Sequence, residues 1–87
     1  MSILLIVTEG SPKVSEALEE IVKDLEPMKV NDGCFLVKTK DHPRLIAMQV
    51  EAGLPEKSTF YVFELDRRYD GYGPVDVNKW LKKNLKK

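Results

Sequence analysis

MKVNDGCFLVKT, residues 28–39, sets two short extended segments on either side of Asn31-Asp32-Gly33. Asn and Gly tolerate positive φ, so these three residues predict a tight chain reversal. In the segment that follows, Phe35, Val37 and Thr39 fall on one side of a strand, and Cys34, Leu36 and Lys38 on the other. A reversal this short makes the two strands antiparallel neighbours, which argues against an all-parallel sheet.

The flanks of this hairpin resemble each other. Upstream, Ile3–Thr8 is short, aliphatic and continuous, as expected of a strand buried on both faces. Ser11-Pro12 predicts a helix start, with Ser as the cap and Pro at the first helical position. Val14, Ala17, Leu18, Ile21, Val22 and Leu25 then line one helical face, and Glu16, Glu19, Glu20, Lys23 and Asp24 the opposite one. Glu26-Pro27 predicts the end of this helix. Downstream, Asp41 is the expected cap of a second helix, with Pro43 just inside it. Leu45, Ile46, Met48, Gln49, Val50 and Ala52 fill that helix, and Gly53 is its expected stop. After a linker at Leu54–Lys57, the aromatic and β-branched run STFYVFEL, residues 58–65, predicts a strand. A polar loop, DRRYDGYGP (residues 66–74), leads to a last helix from about Val75 to Lys86, with Val77, Trp80, Leu81 and Leu85 as its apolar stripe.

The predicted order is β-α-β-β-α-β plus a terminal helix. It gives an α+β fold: a single ferredoxin-like domain over residues 1–87, with a four-stranded antiparallel sheet, two helices on one face and an extra C-terminal helix. This reading also pairs the first and third elements in parallel across the middle of the sheet. The second sheet face needs a cover, supplied by the Trp80 helix, a second subunit, or both.

Composition limits the function classes. The chain carries 14 basic and 14 acidic residues, which argues against a dedicated electrostatic nucleic-acid binder. The charge is uneven, however: Glu9 to Asp24 holds five acids and two lysines, and Asp76 to Lys87 five lysines and one acid. With hydrophobic content at 43% and charged content at 32%, the chain reads as soluble and globular. Its longest apolar run, Ile3–Val7, is too short to span a bilayer, and no charged leader with a small-residue cleavage site precedes it. A cytoplasmic location without membrane contact is the expectation. The single cysteine, Cys34, excludes an internal disulfide and reads as a small core residue.

Taken along its length, the chain resembles the SinR-like family. These small ferredoxin-like proteins are related to the CRISPR-associated endoribonuclease and integration-scaffold proteins. The likeness rests on IVTEG (residues 6–10), DGCFLVKT (residues 32–39), YVFELD (residues 61–66) and GYGPVDVNKWLKKNL (residues 71–85). In the CRISPR-associated relatives an Asp ending the first strand is the proposed metal-binding residue, and two copies meet near a dimer axis. The resemblance implies that role, catalytic or metal-binding, for Glu9. A longer Glu in place of Asp moves the ligand by roughly 1.5 Å. The stretch LLIVTEGSPK also looks like the opening of a Toprim domain, with Glu9, Gly10 and Lys13 in matching places. A Toprim site adds an Asp-x-Asp pair on a mostly parallel sheet. This chain offers only Asp66 and Asp70, and predicts antiparallel pairing.

Other candidates come from the residues themselves. Arg67, Arg68, Tyr69 and Tyr72 in the loop, with Lys79, Lys82 and Lys83 on the last helix, are candidate contacts to a partner or to nucleic acid. The loop acids Asp66 and Asp70 are expected to pair with the arginines. Phe60, Tyr61 and Phe63 are candidate dimer or sheet-interface residues, because that strand is a poor one to leave bare in water. Ser11, Ser15 and Ser58 read as caps or surface residues, and His42 as an exposed first-turn residue. The functional expectation is a small homodimeric binding or scaffold protein, without catalysis and without a cofactor, that meets a protein or nucleic acid and has a role in defence as one setting. One alternative is a nuclease using Glu9 from two subunits and Mg²⁺. Another is a small phage- or host-encoded regulator or inhibitor that acts through protein contacts.

Overall fold

A computed structural model describes residues 1–66 and 68–85. Its elements are β1 (Ser2–Thr8), α1 (Pro12–Val22), β2 (Met28–Asn31), β3 (Cys34–Thr39), α2 (Pro43–Gly53), β4 (Phe60–Leu65) and α3 (Val75–Asn84). The sheet has four strands in the order β2-β3-β1-β4. All three strand pairings are antiparallel. This is the α+β, ferredoxin-like-compatible arrangement that the hairpin predicts, with an added C-terminal helix. The expected parallel pair is absent: β1 and β2 run the same way, but β3 lies between them.

The register sorts the sheet residues into two faces. Leu4 lies opposite Val37 and Glu64, and Ile6 opposite Phe35 and Val62. Leu4, Ile6, Phe35 and Val37 form a core with Val14, Leu18 and Val22 of α1 and Ile46 and Val50 of α2. Leu5 lies opposite Leu36 and Phe63, and Val7 opposite Cys34 and Tyr61. On this second face Ile3 and Leu36 are buried with Val77 and Leu85, while Trp80 and Leu81 pack against them from α3. The indole N–H of Trp80 donates to the Glu26 carbonyl at 3.2 Å and ties α3 to the segment entering β2.

The local signals hold with some shifts. The Ser11 hydroxyl accepts from the Val14 N–H at 3.3 Å, and Pro12 opens α1. That helix ends at Val22, earlier than Glu26-Pro27 suggests, and the chain leaves through Glu26 at φ 48°. In α2 the cap is His42 rather than Asp41: its Nδ1 accepts from the Arg44 N–H at 3.0 Å. The Asp41 N–H turns back instead to the Thr39 hydroxyl at 3.0 Å. Gly53 is the last residue of α2, and it has no positive φ. A Cβ there would lie 2.6 Å from the Ile21 side chain, so the small residue serves the approach of α1 to α2. Ser15 is 2% exposed, and its hydroxyl is buried without a partner, contrary to a surface or capping role. Ser58 donates to the Pro55 carbonyl at 2.6 Å and closes the turn before β4. The final helix ends at Asn84, and Lys86, its expected end, lies outside the described residues.

The hairpin forms as predicted, but by a different device. None of Asn31, Asp32 and Gly33 takes a positive φ. Gly33 is needed for space instead: a Cβ there would lie 3.1 Å from the Thr8 carbonyl oxygen and 3.2 Å from the Gly10 Cα. The Asn31 side chain accepts from the Gly33 N–H at 2.9 Å and shapes the turn. Lys29 pairs with Asp32 at 3.0 Å and with Glu19 of α1 at 3.7 Å. The hydrogen bond to Asp32 holds the Lys29 ammonium above its usual range. Both pairs are solvent-exposed, so they add little to stability.

Candidate functional site

At the end of β1 the chain must leave the sheet and enter α1 within a few residues. Gly10 makes this turn at φ +85°, a conformation that costs a residue with a side chain. The Thr8 N–H donates to the Gly33 carbonyl at 2.6 Å, and the Thr8 hydroxyl donates to the same oxygen at 3.2 Å. The Gly10 N–H in turn donates to the Thr8 hydroxyl oxygen at 3.3 Å. The junction is therefore a knot of backbone contacts between two glycines. Glu9 lies in it with an exposed side chain. Among the described residues no group of three His, Cys, Asp or Glu side chains could hold a metal ion. Glu9 thus belongs to no such group among the described residues.

The β4 residues divide between the two faces. Phe60 is half-buried against the core under α1 and α2. Tyr61 and Phe63 point to the α3 side of the sheet, yet they stay 62% and 51% exposed. Their rings lie 6.2 Å apart between centroids, tilted by 31°, within the range of a favourable aromatic pair. Across the ladder stand Val7 and Leu5, both half-buried. Trp80, Val77 and Leu81 cover the region nearer β2 and leave this part of the face open.

The loop and α3 supply the remaining candidates. Arg67 lies outside the described residues. Arg68 is exposed, and among the described residues no ion pair joins it to Asp66 or Asp70. The two acids serve the loop backbone instead. Asp66 accepts from the Arg68 N–H at 2.7 Å, and Asp70 from the Gly71 N–H at 2.8 Å. Tyr69 packs half-buried against the α3-side core, and Tyr72 is fully exposed. Lys79, Lys82 and Lys83 are exposed and spaced three and four apart, so they share one face of α3.

Sequence reasoning did not foresee the space under this loop. Residues 69–74 arch over the second sheet face and enclose, with α3, an open cleft of ≈ 440 Å³. Leu36 and Leu65 form its floor, and Val77 and Leu81 one wall. Glu9 is not part of it. The only hint in the sequence was the pairing of two tyrosines with Gly71 and Gly73 in a loop that follows a strand. No helix among the described residues is long and apolar enough to cross a bilayer. No protein-family model matches the chain, and no curated protein matches it significantly.

Proposed function

We propose that the chain is a non-catalytic binding or scaffold module that works as a homodimer, joined through the open part of its second sheet face. The observation that carries this reading is the exposure of Tyr61 and Phe63 beside the half-buried Leu5 and Val7. Apolar side chains gathered on one sheet face are costly to leave in water. A second copy suits this surface on physical grounds. β4 is an edge strand with an unpaired backbone row. The only charge in that strand, Glu64, points to the opposite face. The chain is neutral overall, so no long-range repulsion opposes self-association. A twofold axis through such a patch buries the same residues on both subunits. The resemblance to the SinR-like family, whose relatives pair subunits through this sheet, points the same way.

Light scattering at tens of micromolar tests the reading. The expected mass is twice the 10.0 kDa of one chain. Phe63→Lys should return the mass to that of one chain while the circular dichroism stays native. A single-chain mass for the unaltered protein would overturn the proposal.

A second reading is favoured by the lysine stripe on α3, where Lys79, Lys82 and Lys83 present a basic face to solvent. That face suits contact with the phosphates of a nucleic acid. Binding of a labelled oligonucleotide should weaken as salt rises. Replacing the three lysines by Gln should flatten that salt dependence. Binding that ignores both changes would exclude the stripe.

A further inference from the structure

The cleft beneath the 69–74 loop is built within one subunit, and no part of the dimer reading uses it. Its floor and wall are apolar: Leu36 and Leu65 from the sheet, Val77 and Leu81 from α3. At ≈ 440 Å³ it lies in the size range of small-molecule pockets. Its polar lining comes from the loop and from Asn31 of β2 and Asn78 of α3. Among the described residues that line the cleft Asp70 is the one that carries a charge, and Tyr69 and Tyr72 line it as well. One Asp70 oxygen is engaged by the Gly71 N–H at 2.8 Å, which fixes the carboxylate against its own backbone. An acidic residue next to the half-buried Tyr69, at the rim of an apolar floor, is complementary to an ammonium group on a hydrocarbon body. The charge pairs with the acid, aromatic faces attract cations, and the body replaces water over the leucines. The same arrangement repels a carboxylate of equal shape.

We propose that this cleft is a binding site for a small organic cation, a primary ammonium carried on an aryl or alkyl body. The loop suits entry, because Gly71 and Gly73 each have open space where a Cβ would stand. Asp70 supplies the charge selectivity, and the apolar floor supplies affinity that does not depend on charge.

The test uses the full chain, labelled with ¹⁵N and titrated with 2-phenylethylamine, 2-phenylethanol and 3-phenylpropionate. Saturable shifts are expected at Gly71, Gly73, Val77, Asn78 and Leu81. The amine should bind about fivefold more tightly than the alcohol, and the carboxylate more weakly than either. Asp70→Asn should bring the amine down to the level of the alcohol and leave the alcohol unchanged. The Phe63→Lys variant should keep amine binding, because the cleft lies within one subunit. Absence of shifts at millimolar amine, shifts confined to other parts of the chain, equal binding of amine and carboxylate, or an unchanged amine preference in Asp70→Asn would each overturn the proposal.

Discussion

The two faces of the sheet are covered by different amounts of helix, and geometry explains the consequence. Four strands spaced by about 4.8 Å make a surface roughly 19 Å wide. One helix with its side chains is about 10 Å across, so two are needed to cover such a face. On one face α1 and α2 do this, and Leu4, Ile6, Phe35, Val37, Leu18 and Val50 are all essentially sealed. The other face has α3 alone. That helix lies toward β2, seals Ile3 and Leu36, and leaves Tyr61 and Phe63 in water. The first face has the character of a finished core. The second has a core at one side and exposed aromatic side chains at the other.

The largest test of this contrast compares equal truncations on the two faces. Leu18→Ala should lose about 3–4 kcal/mol, because the side chain is fully buried and the surrounding helices cannot close over the gap. Leu81→Ala, half-buried beside the open cleft, should lose about 1–2 kcal/mol, since water already reaches its surroundings. Urea unfolding followed by circular dichroism measures both. Equal losses would mean that α3 seals its face as fully as α1 and α2 seal theirs.

A smaller effect is expected where backbone meets backbone. Gly33→Ala would press a methyl group onto the Thr8 carbonyl and the Gly10 Cα, neither of which can rotate away. The expected cost is about 1–3 kcal/mol. Gly73→Ala, in the loop over the second face, meets nothing within 4 Å and should change stability by less than about 0.5 kcal/mol. The comparison fails if the loop glycine proves the more sensitive of the two.

Much of the fold was legible because its signals are local. The Asn31-Asp32-Gly33 reversal, the Ser11-Pro12 start and the apolar spacing of α1 each report on a few neighbouring residues, and each forms. The errors arose where a distant partner decides. Gly33 reads as a positive-φ residue, but it answers to Thr8 and Gly10, more than twenty positions away. Gly53 reads as a helix stop, but it answers to Ile21. Asp41 is the better cap by residue type, yet it lies one position too early once Thr39 engages its N–H. The candidate surfaces were legible only as residue types. Alternation along residues 58–65 separates Phe60 from Tyr61 and Phe63, but which face stays uncovered depends on where α3 comes to rest.

The smallest test concerns the helix starts. α1 and α2 each have a side-chain cap, the Ser11 hydroxyl at 3.3 Å and the His42 Nδ1 at 3.0 Å, whereas α3 begins at Pro74 with none. Removing a cap exposes a first-turn N–H without its acceptor, so Ser11→Ala and His42→Ala should each cost about 1 kcal/mol. His42→Asp should retain most of the stability, because its carboxylate can accept the same bond and suits the positive end of the helix. Pro74→Ser adds an acceptor to α3 but frees the unfolded chain from a proline, two effects of about equal size and opposite sign. Its net change should stay within about 0.5 kcal/mol. Urea midpoints at unchanged slope separate these outcomes. A loss for Pro74→Ser as large as that for Ser11→Ala would show that the loop entering α3 is held as firmly as the helices on the sealed face.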